Sequence, residues 1–205
     1  MSGSPSRTLL LATTNPGKIR EIIRILEGVP ATFATLADQG SIPEPDETGA
    51  TFAENARLKA LYYAARTGLP AVAEDSGLEI AALDNAPGVH SARWHGRDYA
   101  AKFAAIYREL KQRGLSGSPA RFVAHVALAR GGRILFEATG TVVGEIAPTP
   151  RGANGFGYDP IFFYPPYGRT LGEVDDDRKT RVSHRGKAFR QLRERLLAEP
   201  DLLIG

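Results

Sequence analysis

The stretch that most restricts the fold lies near the start of the chain. A short apolar run at residues 7–13 (RTLLLAT) stops at Thr14-Asn15-Pro16-Gly17, and helical spacing begins at once. Ile19, Ile22, Ile23 and Leu26 stand at i, i+3, i+4 and i+7, one face of a helix. Asn15 is a good N-cap, and Pro16 suits the first helical position because its missing N–H would have no partner there. A buried strand that runs straight into an amphipathic helix is the opening of a βα unit. Gly28 and Pro30 end the helix, and residues 31–36 read as a second strand.

The alternation continues. A polar, Pro-rich loop at 40–49 leads to Thr51-Phe-Ala-Glu54, a capping-box pattern that starts a helix reaching about residue 67. Residues 71–74 and 78–81 read as two short strands broken by a turn at Asp75-Ser76-Gly77. A Gly/Pro/His loop spans 84–96. Residues 98–113 are helical, with Phe103, Ile106, Tyr107 and Leu110 on one face.

The texture then changes. Residues 121–129 and 133–146 are rich in Val, Phe, Thr and Ile and flank Gly131-Gly132, which predicts a β-hairpin. A Gly-rich loop covers 148–159, residues 160–164 read as a strand end, and 175–182 is charged. A last helix opens at Ser183 and turns Phe189, Leu192 and Leu196 inward. The order βαβαβ followed by hairpins predicts an α/β (α+β) protein with a mixed sheet and flanking helices. With no repeat and no linker, residues 1–205 are expected to form a single domain, with 1–6 as a disordered tail.

Composition removes several function classes. The 205 residues include no cysteine, so disulfides, cysteine-ligated metals and a thiol nucleophile are out. A net charge of +3 suits an anionic ligand and is too small to require nucleic acid. No run approaches the roughly 18 apolar residues of a membrane span. The first residues lack a charged segment followed by an apolar one, so a cytoplasmic location is expected.

Five places can carry chemistry. Thr13–Lys18 lies at a strand-to-helix junction, where free N–H groups and the positive dipole end attract phosphate. Lys18 in the first turn opposes the dipole unless an anion binds; the other reading is an ordinary capped turn. Glu47 precedes a helix on which Asn55 and Lys59 are i, i+4 neighbours; this group serves Mg²⁺ and phosphate, or is a solvated loop and surface helix. Glu74-Asp75-Ser76-Gly77 is either a metal-binding strand end, with Asp75 and Glu47 supplying the one or two carboxylates Mg²⁺ usually takes, or a polar turn. Gly152–Asp159 is open to a flat ligand, with Phe156 to stack and Asp159 to accept, or is a Gly-rich hairpin loop. Lys179, His184 and Arg185 belong to a stretch, 178–195, with eight Lys/Arg and one acid. It reads as a basic solvated helix or as a nucleic-acid-facing stripe.

Taken in order, TTNPGK (13–18), ETG–TFAENARLKA (47–60), AEDSGLEI (73–80), PGVHSAR (87–93), GFGYDPIF (155–162) and SHRGKA (183–188) resemble the inosine triphosphate pyrophosphatase family. The resemblance spans about residues 9 to 197. It implies an elongated mixed α/β fold with two lobes around a cleft, and a homodimer. The implied reaction is Mg²⁺-dependent hydrolysis of deaminated purine nucleoside triphosphates (XTP, ITP, dITP) to monophosphate and pyrophosphate, which cleanses the nucleotide pool.

Carried onto this sequence, the resemblance gives the triphosphate to Thr13, Thr14, Asn15, Pro16, Gly17, Lys18 and Lys59. It gives Mg²⁺ to Glu47 and Asp75, with Asp75 also activating water, and it puts Ser76 against substrate. Phe156 stacks on the base, in a segment that includes Gly157 and Tyr158. Asp159, Lys179, His184 and Arg185 line the base pocket, where Arg185 or His184 can donate to a purine 6-oxo group. Glu74 stands where many family members have Asp, which leaves it as a second metal ligand or a mere neighbour. Two alternatives come from other classes: a pyrophosphatase for modified pyrimidine nucleotides, and a non-enzymatic nucleotide- or RNA-binding module. The expected partner is a small nucleoside triphosphate, with neither membrane nor nucleic acid.

Overall fold

The computed structural model describes residues 7–204; the expected tail at 1–6 lies outside them. The seven strands are β1 (Thr8–Leu11), β2 (Thr32–Thr35), β3 (Ala71–Ile80), β4 (Pro119–Arg130), β5 (Arg133–Ile146), β6 (Phe162–Tyr164) and β7 (Arg169–Thr170). The helices are α1 (Pro16–Ile25), α2 (Phe52–Thr67), α3 (Tyr99–Gln112), α4 (Asp176–Val182) and α5 (His184–Ala198). The strands are hydrogen-bonded in the order β2-β1-β3-β4-β5-β6-β7. Pairing is parallel at β1–β2 and β1–β3, antiparallel at β5–β6 and β6–β7. This is the mixed α/β sheet expected from the βα units followed by hairpins.

The chain clusters into two compact units. The first comprises residues up to Asp75, Ala124–Gly140 and Arg185 onward; the second comprises Ser76–Val123 and Thr141–His184.

In the first unit the period-2 alternation of β1 sorts its leucines to two faces. Leu9 and Leu11 pack with Val72, Val126 and Leu128 against Ile22, Ile25 and Leu26 of α1 and Phe189, Leu192 and Leu196 of α5. Leu10 joins Ala71, Ala73, Ala127 and Ala129 against Ala56, Ala60, Tyr63 and Ala64 of α2. The small residues on both sides of that second layer let the helix approach the sheet closely. Each fully buried Leu or Phe contributes roughly 1.5–3 kcal/mol.

Local signals set the helix ends. The Asn15 side chain accepts from the Lys18 N–H at the start of α1. At α2, Thr51 and Glu54 make the reciprocal capping-box bonds, and Gly68 closes the helix in the left-handed conformation.

In the second unit, Ile106 and Leu110 of α3 pack with Leu78, Ile80, Phe122, Val142, Ile146 and Phe162, and Phe103 and Tyr107 flank them. The Gly131-Gly132 turn between β4 and β5 has φ of 55° and 74°, the pair of positive values that a two-residue hairpin of the favoured twist requires.

One expectation fails. Residues 71–80 form one unbroken strand, not two strands around a turn at Asp75-Ser76-Gly77. Asp and Gly favour turns because their polar groups normally want water or a local partner. Here Glu74 and Asp75 are 5% and 7% exposed, and each finds its partners inside the protein. Two further elements went unread: the two-residue β7 and the short helix α4, both below the length at which periodicity is visible.

Candidate active site

Asp75 is the centre of the first unit's polar cluster. Its Oδ1 accepts from Lys59 Nζ at 3.0 Å and its Oδ2 from Asn55 Nδ2 at 3.1 Å. Lys59 Nζ also donates to Glu47 Oε1 at 2.8 Å, so one ammonium holds both carboxylates expected to bind metal. The i, i+4 spacing of Asn55 and Lys59 on α2 is what aims both side chains at the same carboxylate. Asn55, buried, also accepts from the Gly49 N–H and so ties down the loop that carries Glu47. Burial pushes the Asp75 carboxyl above its ordinary value; Lys59 opposes this and Glu47 adds to it. Burial pulls Lys59 down, but Asp75 and Glu47 outweigh it and hold the ammonium above its usual value.

A second group lies in the same unit. The buried Arg185 guanidinium grips Glu74 through Nε and Nη2 at 2.5 and 2.7 Å, and reaches Glu21 through Nη1 at 2.6 Å. Lys18 Nζ sits 3.2 Å from Glu74 Oε1. Burial lowers the Lys18 ammonium below its ordinary value; Glu74 resists this, while Arg185 and Lys59 reinforce it. The carboxylates raise Arg185 against the pull of burial.

Three of the five Arg185 N–H donors are held by Glu74 and Glu21. One expectation is corrected. The cation placed in the first turn of α1 is matched by a protein carboxylate, Glu74, before any anion binds. Glu74 itself is therefore a buried counter-ion for two cations rather than a bystander, and the extra methylene of Glu over Asp gives it reach.

The named groups of this unit are three cations, Lys18, Lys59 and Arg185, against four carboxylates, Glu21, Glu47, Glu74 and Asp75. Glu47 and Asp75, two hard oxygen donors gathered on one ammonium, fit a divalent cation that would share its sphere with phosphate oxygens. Among the described residues no group of three or more metal-ligating side chains forms, so such an ion would rest on two carboxylates at most. Of the remaining phosphate-side residues, Thr13 Oγ1 accepts from the Asn15 N–H, and Thr14 Oγ1 donates to Glu44. Asn15 and Pro16 are exposed and Gly17 is half-buried at the same helix start, as is Ser76 on β3.

The second unit holds the aromatic group. Asp159 Oδ2 accepts from Lys179 Nζ at 2.7 Å and from the Phe156 N–H at 2.8 Å. Lys179 Nζ lies 4.5 Å from the centre of the Phe156 ring, a cation–π contact. A Cβ at Gly155 would overlap the Asp159 carboxylate, and φ there is +72°, so the turn needs glycine twice over. His184 is buried and stacks on Phe122 at 4.8 Å. Tyr158, next to the half-buried Gly157, is also buried and donates to the Ser91 carbonyl at 2.9 Å. The bland reading of 178–195 as a solvated basic helix fails here, because Lys179 and Arg185 are buried and ion-paired.

Several polar residues escaped sequence reasoning. Glu21 carried a readable signal, since it stands one turn from Lys18 on α1. Lys102 stands four residues before Ile106, inside the apolar register of α3, and that too was visible.

The family model described as the Ham1 family matches residues 9–195. A dITP/XTP pyrophosphatase of Syntrophobacter fumaroxidans is 49% identical over 188 residues, covering 90% of this chain and 79% of that protein. One from Thermus thermophilus is 48% identical, covering 91% and 90%. Among solved structures, a HAM1 protein from Coxiella burnetii aligns with a TM-score of 0.86 at 40% identity, covering 93% of this chain and 98% of that one. A family match over nearly the whole chain, together with relatives at this level of identity, places the protein: it belongs to the Ham1 family.

Proposed function

We propose that this chain hydrolyses the deaminated purine nucleoside triphosphates XTP, ITP and dITP to monophosphate and pyrophosphate, and so clears them from the nucleotide pool. The observation that carries the reading is the geometry at Asp75: a buried carboxylate with one oxygen held by Lys59 and the other by Asn55, and with Glu47 on the same lysine, in a protein of this family. Asp75 takes the proton of the water that attacks the α-phosphorus. Lys18 and Lys59 bind the triphosphate and offset the charge that develops on departing pyrophosphate. A phosphate oxygen that draws Lys59 away also frees Asp75 Oδ1 for that water.

Glu47 and Asp75 would hold Mg²⁺, which when bound neutralises phosphate oxygens and polarises the phosphorus they surround. Phe156 offers its ring face to the base, and Asp159, Lys179 and His184 supply polar groups around it. Arg185, also expected at the base, keeps Glu74 in place as well. We also infer a homodimer in the cytoplasm, from the family resemblance; light scattering tests the first. Among the described residues no helix is long and apolar enough to cross a membrane.

A pyrophosphate-release panel with Mg²⁺ over XTP, ITP, dITP, GTP, ATP and TTP tests the reading. The first three should exceed ATP and TTP by at least about tenfold in kcat/KM, as a site built on hydrogen bonds allows. Flat or absent turnover overturns it, and TTP in front would point to the pyrimidine enzyme.

A further inference from the structure

Lys102 is wholly buried on α3, and among the described residues no carboxylate meets it. Its ammonium donates to two successive main-chain carbonyls, Ser91 at 3.0 Å and Ala92 at 2.7 Å. It also sits over two aromatic rings, Tyr99 at 4.4 Å and Tyr158 at 5.7 Å. Burying an ammonium without a counter-ion is costly, and a methionine of similar shape would fill the space without that cost. The position therefore calls for a role that needs the charge and the donors.

The contacts lead to one place. The Ser91 carbonyl takes two bonds, one from Lys102 and one from the Tyr158 hydroxyl. Ser91 is itself anchored, since its Oγ accepts from the Leu78 N–H of β3 at 2.9 Å and donates to the Gly88 carbonyl at 2.6 Å. Tyr158 is gripped between α3 side chains, edge-on to Tyr99 at 5.2 Å and tilted against Phe103 at 6.2 Å. Its neighbour Asp159 accepts from the Phe156 N–H. One ammonium thus joins β3, the 88–92 segment and α3 to the turn that presents Phe156 and Asp159.

We propose that Lys102 is a positioning residue for the base-side turn Phe156–Asp159, acting through the Ser91 and Ala92 carbonyls and Tyr158. It touches no reacting atom. The inference rests on the reading of Phe156 and Asp159 as base-side groups, and it assigns the ordering of that turn to an internal cation.

The test compares wild type, Lys102→Met and Lys102→Arg for hydrolysis of dITP with Mg²⁺, alongside inhibition by pyrophosphate. Turnover of dITP by the wild type decides the underlying reading by itself. If the inference holds, a folded Lys102→Met raises KM by about tenfold with kcat within about threefold, the pattern of lost ground-state binding. The pyrophosphate inhibition constant stays put, because the phosphate-side lysines are in the other unit. Lys102→Arg, which keeps charge and donors, recovers most of the KM. An unchanged KM in folded Lys102→Met, or parallel loss of kcat and pyrophosphate affinity, overturns the proposal. If Lys102→Met does not fold, Tyr158→Phe cuts the same Ser91 link from the other side; a raised KM supports the role and an unchanged one overturns it.

Discussion

The two units hold their polar groups by different physics. In the first, cations and carboxylates neutralise one another directly: Lys59 with Glu47 and Asp75, and Arg185 and Lys18 with Glu74. In the second, Lys179–Asp159 follows that scheme in the interior and Arg121–Glu79 does so at the surface, while the buried Lys102 relies on carbonyls and ring faces, and His184 stacks on Phe122. Charge pairing suits the role proposed for the first unit, in which internal partners would be exchanged for a polyanion and a metal. Ring faces and fixed dipoles suit one that must present a flat, preformed surface. The first unit is therefore expected to fail in chemistry and stability, and the second in affinity.

The largest effect should come from Asp75→Asn, which removes the proton acceptor while keeping the shape. We expect kcat to fall by about a hundredfold to ten-thousandfold, with the circular dichroism spectrum unchanged. Affinity for the monophosphate product should survive, since its base-side contacts are in the second unit. A folded mutant with near-normal turnover would remove Asp75 from the reaction.

Glu74→Gln strikes stability instead. It puts a neutral amide beside the buried Arg185 guanidinium, which keeps Glu21, and beside Lys18; breaking a buried pair costs up to about 3–5 kcal/mol. Urea unfolding at neutral pH should show this; a loss under about 1 kcal/mol would mean that the pair is as weak as a surface one.

Phe156→Ala should raise KM for dITP by the equivalent of about 1–3 kcal/mol of lost stacking, with kcat nearly kept. A drop in kcat with unchanged KM would merge the two units' roles. Tyr107 sharpens the comparison from the other side. Its buried hydroxyl has no hydrogen-bond partner among the described residues, and burial pushes its pKa up to about 12. Tyr107→Phe should therefore stabilise the protein by about 1 kcal/mol, read from the thermal midpoint. A destabilised mutant would mean that the hydroxyl has a partner after all.

The smallest effect concerns acid. The Asp38 carboxyl accepts from the Thr35 N–H and hydroxyl, which lowers its pKa from the ordinary 3.8. A depressed carboxyl stabilises above its unfolded pKa, and that contribution disappears as pH falls through the folded one. Asp38→Asn should cost stability at pH 7 and progressively lose its effect as the pH falls below the ordinary 3.8, by urea unfolding at neutral and at acid pH. A penalty that is the same at both would assign the effect to shape.

The legible parts of the molecule were those governed by neighbours in sequence. The caps at Asn15 and Thr51, the apolar face of α3 and the Gly131-Gly132 hairpin all stand where local spacing put them. Asn55 and Lys59 were recognisable as a pair because four residues make one helical turn. The unbroken β3 was not legible, since its two acids look like turn residues until their distant partners are known.

The βα opening, the Gly131-Gly132 hairpin, the absence of thiol chemistry and the six ordered motifs were thus determined by the sequence alone, because each depends on residue type and short-range spacing. Which cation meets which carboxylate was decided only by the tertiary structure. Arg185 lies 111 residues from Glu74, and Lys102 reaches carbonyls that no side-chain pattern encodes. Long, flexible charged side chains have many partners of similar Coulomb energy in an extended chain. Burial in a packed interior selects one, because an unpaired charge there costs far more than it does in water.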